Sequence, residues 1–204
     1  ARILEIGCGS GAIGFELLRR GVYYIGLDPG SRYQERNRHK ARENGFTTAS
    51  FEVAFAHEAL QVGTGFDAVV LPSVAQFFPG YRYLETVLDQ SLSQITAGGI
   101  VVVADVMDPA QRPVLAAALK AHKEANPQSC VKADTDNEFH VATRFFEEFS
   151  AARPDIQVEV LRRPAGLFTT ELAYRYDVIL TKKEDVSLAV KPVAGVRRYW
   201  PTDY

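Results

Sequence analysis

The stretch from Arg2 to Asp28, RILEIGCGSGAIGFELLRRGVYYIGLD, constrains the fold more than any other part of the chain. Ile3, Leu4 and Ile6 form the short apolar run of a buried parallel strand. Gly7, Gly9 and Gly11 follow at every second position. Ala12 to Arg20 then carries Ile13, Leu17 and Leu18 at helical spacing, with Arg19 and Arg20 near its end and Gly21 placed to stop it. Val22 to Leu27 reads as a second strand, with Asp28 at its tip. Glycines let the backbone turn sharply and approach a ligand closely. A helix that starts just after such a turn offers unpaired N–H groups. An acid about 20 residues on can accept two hydrogen bonds from a ribose diol. The unit therefore predicts an adenosine-containing cofactor at the carboxyl ends of parallel strands. A tight βα turn in another doubly wound protein is the bland alternative.

The rest of the chain supports one α/β domain. Its 204 residues are enough for a core, and 47% hydrophobic, 24% charged and a net charge of -2 are ordinary globular values. No basic excess points to nucleic acid. No apolar run is long enough to span a membrane, and nothing resembles a signal peptide. Cys8 lies inside the glycine turn, far in sequence from Cys130, which argues against a structural disulfide and for a reducing cytoplasm. The four histidines show no metal-ligand spacing.

Taken in order, the charged segment Ser31 to Asn44 reads as a solvated helix ended by Gly45, with His39 facing water. FEVAF, within Phe46 to Phe55, is a third strand, followed by Ala56, His57 and Glu58. Ala68 to Leu71 is a buried strand, and Ser73 and Gln76 fall just beyond it, where ligands bind in open α/β sheets. Tyr81 to Ser91 reads as a helix, Ile100 to Ala104 as a strand, and Asp105 to Pro109 as the loop after it. Alternating strands and helices predict a parallel sheet. An alanine-rich helix follows over Gln111 to Ala125, then a polar loop over Gln128 to Asn137. Thr143 to Ala152 is a helix with Phe145, Phe146 and Phe149 inward. Ile156 to Arg162 and Tyr174 to Thr181 alternate as strands and predict a closing hairpin, with one strand antiparallel at the sheet edge. Residues 1–183 form the domain, and Glu184 to Tyr204 reads as a tail or linker whose Tyr199, Trp200 and Tyr204 pack on the domain or a neighbour.

The pattern Glu5-x-Gly7-x-Gly9-x-Gly11 differs from the G-x-G-x-x-G spacing set for a pyrophosphate. It resembles the first motif of class I methyltransferases that use S-adenosyl-L-methionine. VVLPSVAQFFPGYRYLETVL is similar to a signature of methyltransferase domains embedded in nonribosomal peptide synthetases and polyketide synthases. GGIVVVADVMDP, EFHVATRFF and ELAYRYDVIL resemble that group's later segments, in order. Two departures stand out: Pro72 occupies the usual Asn position, and ELAYRYDV is one residue shorter than the pattern.

The resemblance implies a Rossmann-like, mostly parallel doubly wound sheet with an antiparallel C-terminal hairpin. Helices usually precede the first strand in class I methyltransferases and help close the site, so the resemblance implies that such lid helices are absent here. It implies cofactor contacts at Glu5, Gly7, Gly9, Gly11, Asp28, Ala56, His57, Leu71 and Ser73, and substrate contacts at Gln76 and Asp105, with Asp108 a weaker candidate. It also implies a carrier-protein-tethered substrate and neighbouring synthase domains. Carbon-methylating domains carry a histidine in a pattern like NVLHA, where this chain reads SVAQ; the expected acceptor is therefore O or N. Methyl transfer needs near-attack positioning at ~3–3.5 Å and a base. Glu138 and His140 are the catalytic candidates, an acid orienting an imidazole. The alternative is that Glu138 caps the following helix and His140 is a half-buried polar residue. Two other functions compete: a free-standing small-molecule O/N-methyltransferase, and a decayed, non-catalytic docking domain.

Overall fold

The computed structural model describes residues 1–130, 137–163 and 170–184. Parts of the polar loop (131–136) and of the last connection (164–169), and the tail from 185 with Tyr199, Trp200 and Tyr204, lie outside the described residues.

The chain alternates β1 (Arg2–Ile6), α1 (Ala12–Arg19), β2 (Tyr23–Asp28), α2 (Ser31–Glu43) and β3 (Ala49–Val53). A tight helical turn over Ala56–Val62 leads to β4 (Phe66–Pro72), α3 (Tyr81–Gln94) and β5 (Ile95–Met107). Then come α4 (Arg112–Ala125), α5 (Thr143–Ala151), β6 (Ile156–Arg162) and β7 (Arg175–Lys182). The seven strands form one sheet in the order β3-β2-β1-β4-β5-β7-β6. β1 to β5 pair in parallel, and β7 runs antiparallel to both its neighbours. The strand order reverses between β1 and β4, which opens a crevice at their carboxyl ends.

The antiparallel strand is not at the edge, as the hairpin reading expects. β7 inserts between β5 and β6, so β6 is the edge. Val178 and Leu180, both 0% exposed, sit opposite Val103 and Val101. The alternation in YRYDVILT fits this covered position, with Tyr176 also buried. The edge strand β6 keeps mostly half-buried and exposed residues.

One core face joins Leu4, Leu27, Val69 and Val103 to Leu84 and Leu88 of α3 and Phe145, Phe146 and Phe149 of α5. The other packs Phe15 and Leu18 of α1 against Tyr24 and Phe51. The inner stripe of α1 is thus Phe15–Leu18, while Ile13 is 43% exposed.

α2 departs from the solvated-helix reading. His39 does face water, beside Glu43. But Gln34 and Asn37 are buried, and they bond to backbone rather than pack as apolar groups. Gln34 Nε2 donates to the carbonyls of Gly26 (2.9 Å) and Glu52 (2.6 Å), and Asn37 Nδ2 donates to the Gly9 carbonyl (2.8 Å). Buried amides are tolerated when their hydrogen bonds are made. This helix is therefore tied to β2, β3 and the glycine turn by polar contacts.

Candidate active site

The glycine turn is held from below and from both sides. Gly7 and Cys8 both donate to the Leu27 carbonyl (2.7 and 2.9 Å). The Gly9 peptide is pinned twice: its N–H donates to Asp28 Oδ2 (2.9 Å), and its carbonyl accepts from Asn37. Gly9 has φ +48°, and a Cβ there would meet nothing within 4 Å. Its lack of a side chain therefore serves no packing need; it keeps the space above the turn open.

Asp28 ends β2 beside that space. Oδ2 accepts from Gly9, and Oδ1 accepts from the Gly30 N–H (2.8 Å). A carboxylate has about four acceptor positions, so each oxygen retains one. The half-buried carboxylate is thus oriented by two backbone donors and still able to accept two more hydrogen bonds, the geometry a vicinal diol requires.

Glu5 lies beneath the turn, 2% exposed, and accepts from the Tyr24 hydroxyl at 2.5 Å. Tyr24 reaches it because Gly14 and Gly26 leave room: a Cβ at either would come within 3 Å of the tyrosine ring or hydroxyl. Burial raises the Glu5 carboxyl from the ordinary 4.5 to about 7; the Tyr24 bond opposes this and the Asp28 charge adds to it. The folded chain thus holds this proton more tightly than the unfolded chain, and stability falls as pH rises from 4.5 through about 7. Glu5→Gln keeps an acceptor for Tyr24 and carries no charge. It is expected to be more stable than wild type by ~2–3 kcal/mol at ~pH 8, with the gain shrinking toward ~pH 5. Urea unfolding at both pH values checks this, and a variant equal to wild type at the higher pH would refute it. The neighbouring Cys8 thiol is pushed up to about 12, by burial first and then by the Glu5 and Asp28 charges, so it fills space as a thiol.

At the end of β3, Ala56 is buried and His57 is exposed. His57 Nδ1 lies 2.9 Å from the Tyr83 hydroxyl, and its ring stacks on Phe55. These contacts fix the imidazole at the rim of the crevice. Leu71 is 0% exposed, so its side chain belongs to the core. Ser73, two residues on, is exposed, has φ +52° and donates its hydroxyl to Asp105 Oδ2. Gln76 is 8% exposed; its Nε2 donates to the Ser73 carbonyl (2.9 Å), while Oε1 has no partner among the described residues.

The segment from Glu138 to Val141 crosses the ends of β4 and β5. Phe139 N–H donates to the Gln76 carbonyl and Val141 N–H to the Met107 carbonyl, both at 2.9 Å. Glu138 does orient His140, but through its backbone: His140 Nδ1 lies 2.8 Å from the Glu138 carbonyl. A carbonyl only accepts, so Nδ1 carries the proton and the neutral ring offers Nε2 as a base. Nε2 is buried and has no partner among the described residues. It lines a cleft of about 10 Å³ with Met107, Asp108, Gln111, Tyr174 and Arg175, room for about one water. α5 begins at Thr143 without a side-chain cap, so Glu138 is not its cap. Asp108 is 5% exposed and engaged by Arg162 (2.9 Å) and the Ala110 N–H.

Two residues of this region escape a reading of the sequence. Arg163 Nη2 donates to both Asp105 Oδ1 and Asp177 Oδ1, the latter at 3.0 Å. Asp177 sits in the R-Y-D-V segment, and only the pairing of β7 with β5 brings it to Asp105. A larger groove, about 550 Å³, lies beside Tyr23, Thr48 and Ser50 at the amino ends of the strands. It is at the opposite end from the turn and Asp28. Ligands of open α/β sheets bind at the carboxyl ends, so the end of the sheet that carries the glycine turn and Asp28 is the candidate site.

Both cysteines are free. Among the described residues, no helix is long and apolar enough to cross a membrane, and no three His, Cys, Asp or Glu are grouped to hold a metal ion.

Comparison with known proteins agrees with this geometry. The family described as "Methyltransferase domain" matches residues 1–182. CymA of Salinispora arenicola (strain CNS-205), a probable non-canonical nonribosomal peptide synthetase, is 34% identical over 185 residues, 88% of this chain and 2% of CymA. Enniatin synthase of Fusarium equiseti is 31% identical over 198 residues, 90% of this chain and 6% of the synthase. The chain thus spans only a small fraction of these relatives. Among solved structures, N-methyltransferase NodS from Bradyrhizobium japonicum has a TM-score of 0.64 at 14% identity, covering 90% of this chain and 86% of NodS. Magnesium protoporphyrin IX methyltransferase from Synechocystis PCC 6803, solved with bound SAH, has a TM-score of 0.61 at 13% identity, covering 89% of this chain and 74% of that one. At these identities the two likenesses speak to the fold. The chain belongs to the methyltransferase domain family and is similar to segments of nonribosomal peptide synthetases.

Proposed function

We propose that this chain is the methyltransferase domain of a peptide or polyketide assembly line, moving a methyl group from S-adenosyl-L-methionine to an O or N of a carrier-protein-bound intermediate. The observation that carries the reading is Asp28. It is held by the N–H groups of Gly9 and Gly30, with acceptor capacity left over, beside open space above the turn.

When bound, the cofactor supplies an electrophilic methyl group on a sulfonium. Asp28 would hold the ribose hydroxyls, and the turn from Gly7 to Gly11 would hold the methionine part. Glu5 contributes from beneath, supporting the turn through its bond with Tyr24. His57 and Ala56 line the adenine side. Ser73 stands on the cofactor side and joins Asp105, while Gln76 and Asp105 face the acceptor beyond β4 and β5. Nε2 of His140, buried beside space for about one water, takes the acceptor proton through that water. A partnerless Gln76 Oε1 and a partnerless His140 Nε2 fit an acceptor that brings its own hydrogen-bond donor.

Similarity to segments of very long synthetases favours an embedded domain with synthase neighbours over a free-standing enzyme, and a cytoplasmic location goes with that reading. Intact Glu5, Gly7, Gly9, Gly11 and Asp28 argue against a decayed docking domain.

Two measurements test the proposal. Calorimetry is expected to show S-adenosylhomocysteine binding to the protein. Methylation assays are expected to favour an aminoacyl or hydroxyacyl group on a carrier protein over the same acceptor free in solution. A strong preference for the free acceptor would make this a stand-alone enzyme, and absence of cofactor binding would leave only a docking role.

A further inference from the structure

Among the described residues, Ser73 and Asp105 are the non-glycine residues with left-handed backbone, φ +52° and +61°. Ser73 follows β4, Asp105 lies in β5 just past the last β4–β5 pair (Pro72 with Ala104), and the two touch through the Ser73 hydroxyl on Asp105 Oδ2. Such backbone is strained for a side-chain-bearing residue, and persists where surrounding contacts hold it. Two such residues in contact need a holder. The structure provides one. The β5–β7 register shifts between Val103 and Val106, which takes Asp105 out of the ladder and frees its side chain to turn toward Ser73. Its N–H then donates to Asp177 Oδ1 at 2.8 Å. Arg163, just beyond β6, bridges the two carboxylates with one nitrogen. Arg163 is 11% exposed at its side chain, Asp105 18% and Asp177 28%, so the group is largely shielded from water.

We infer that Arg163 and Asp177 are positioning residues for methyl transfer: they hold the Asp105–Ser73 pair in one strained geometry facing the acceptor. Asp177 fixes the backbone of Asp105. Arg163 fixes one carboxylate oxygen and offsets the repulsion between two adjacent acids. The other oxygen is left to Ser73 and to an N–H or O–H of the acceptor. The inference rests on the proposed function for the acceptor's location, but the holding contacts can be tested without any acceptor.

The test compares wild type with Asp177→Ala, Asp177→Asn, Arg163→Gln and Arg163→Lys. Three quantities are read: hydrogen exchange at the Asp105 amide by NMR, affinity for S-adenosylhomocysteine, and kcat and KM on a carrier-bound acceptor. Asp177→Ala is expected to speed Asp105 exchange at least ~10-fold, and Asp177→Asn, which keeps an acceptor oxygen, much less. Arg163→Gln is expected to lower kcat ~10–100-fold while cofactor affinity and KM stay near wild type, since small misplacements near the reacting atoms cost rate. Arg163→Lys should recover part of that rate. The inference is overturned if Asp105 exchange does not respond to Asp177→Ala, or if folded Arg163→Gln turns over at the wild-type rate. Should wild type methylate no carrier-bound acceptor, the functional reading fails, while the exchange data still decide whether Asp177 holds Asp105.

Discussion

Asp28→Ala is expected to lower the affinity for S-adenosylhomocysteine ~10²–10³-fold, the largest effect of any single substitution on binding. The carboxylate does two things at once. It accepts from Gly9 and Gly30, which sets the turn against the end of β2. It also presents its remaining lone pairs to the ribose. Truncation leaves two backbone N–H groups unpaired at ~1 kcal/mol or more each, and removes charge-assisted bonds to the sugar worth ~1.5–3 kcal/mol each. Asp28→Asn keeps an acceptor oxygen but must turn an NH₂ toward one of the two backbone donors, so an intermediate loss is expected. Calorimetry with folded variants decides the matter. Affinity within a few fold of wild type in Asp28→Ala would remove this residue from the ribose site.

His140→Gln is expected to lower kcat ~10²–10⁴-fold with cofactor affinity unchanged, the range over which a positioned base acts. The argument is geometric. The Glu138 carbonyl fixes the proton on Nδ1, which leaves Nε2 as a buried lone pair with no partner among the described residues. Gln is close in size and still able to donate to that carbonyl, but it cannot take up a proton. Glu138→Gln, by contrast, is expected to change kcat little, because the orienting group is the peptide carbonyl. Single-turnover rates on the two variants separate these expectations. Near wild-type turnover in His140→Gln would move the base elsewhere, with Asp105 the next group to test.

The parts of this molecule that the sequence makes legible are local. The apolar run Ile3–Ile6, the alternate glycines and Asp28 lie within one βα β unit, so spacing alone placed them. The same holds for the three phenylalanines of α5, whose spacing is helical and whose burial followed. The burial of Gln34 and Asn37 is not legible in the sequence, because hydropathy counts them as polar surface. Their burial depends on carbonyls of β2, β3 and the turn, which no pattern within α2 shows. The closing hairpin and its antiparallel strand are legible, but that the antiparallel strand lies inside the sheet is not, since pairing is chosen by facing surfaces and not by local pattern. The Asp105 group joins residues 58 and 72 positions apart, so no local window contains it. The acid-beside-imidazole reading of Glu138 and His140 meets a different contact in the structure, ring to peptide carbonyl, because an extended segment can orient a ring by its own backbone.

The insertion of β7 between β5 and β6 also sets when the domain can finish. Its residues, Arg175–Lys182, are the last of the sheet to leave the ribosome, yet they fill an interior slot. Until they emerge, β5 presents an open flank bearing Val101 and Val103, and β6 has no strand to lie against. Such a flank is a template for mispairing. The sheet can close only once these residues are made, and the nascent chain must shelter that flank through all the synthesis before them.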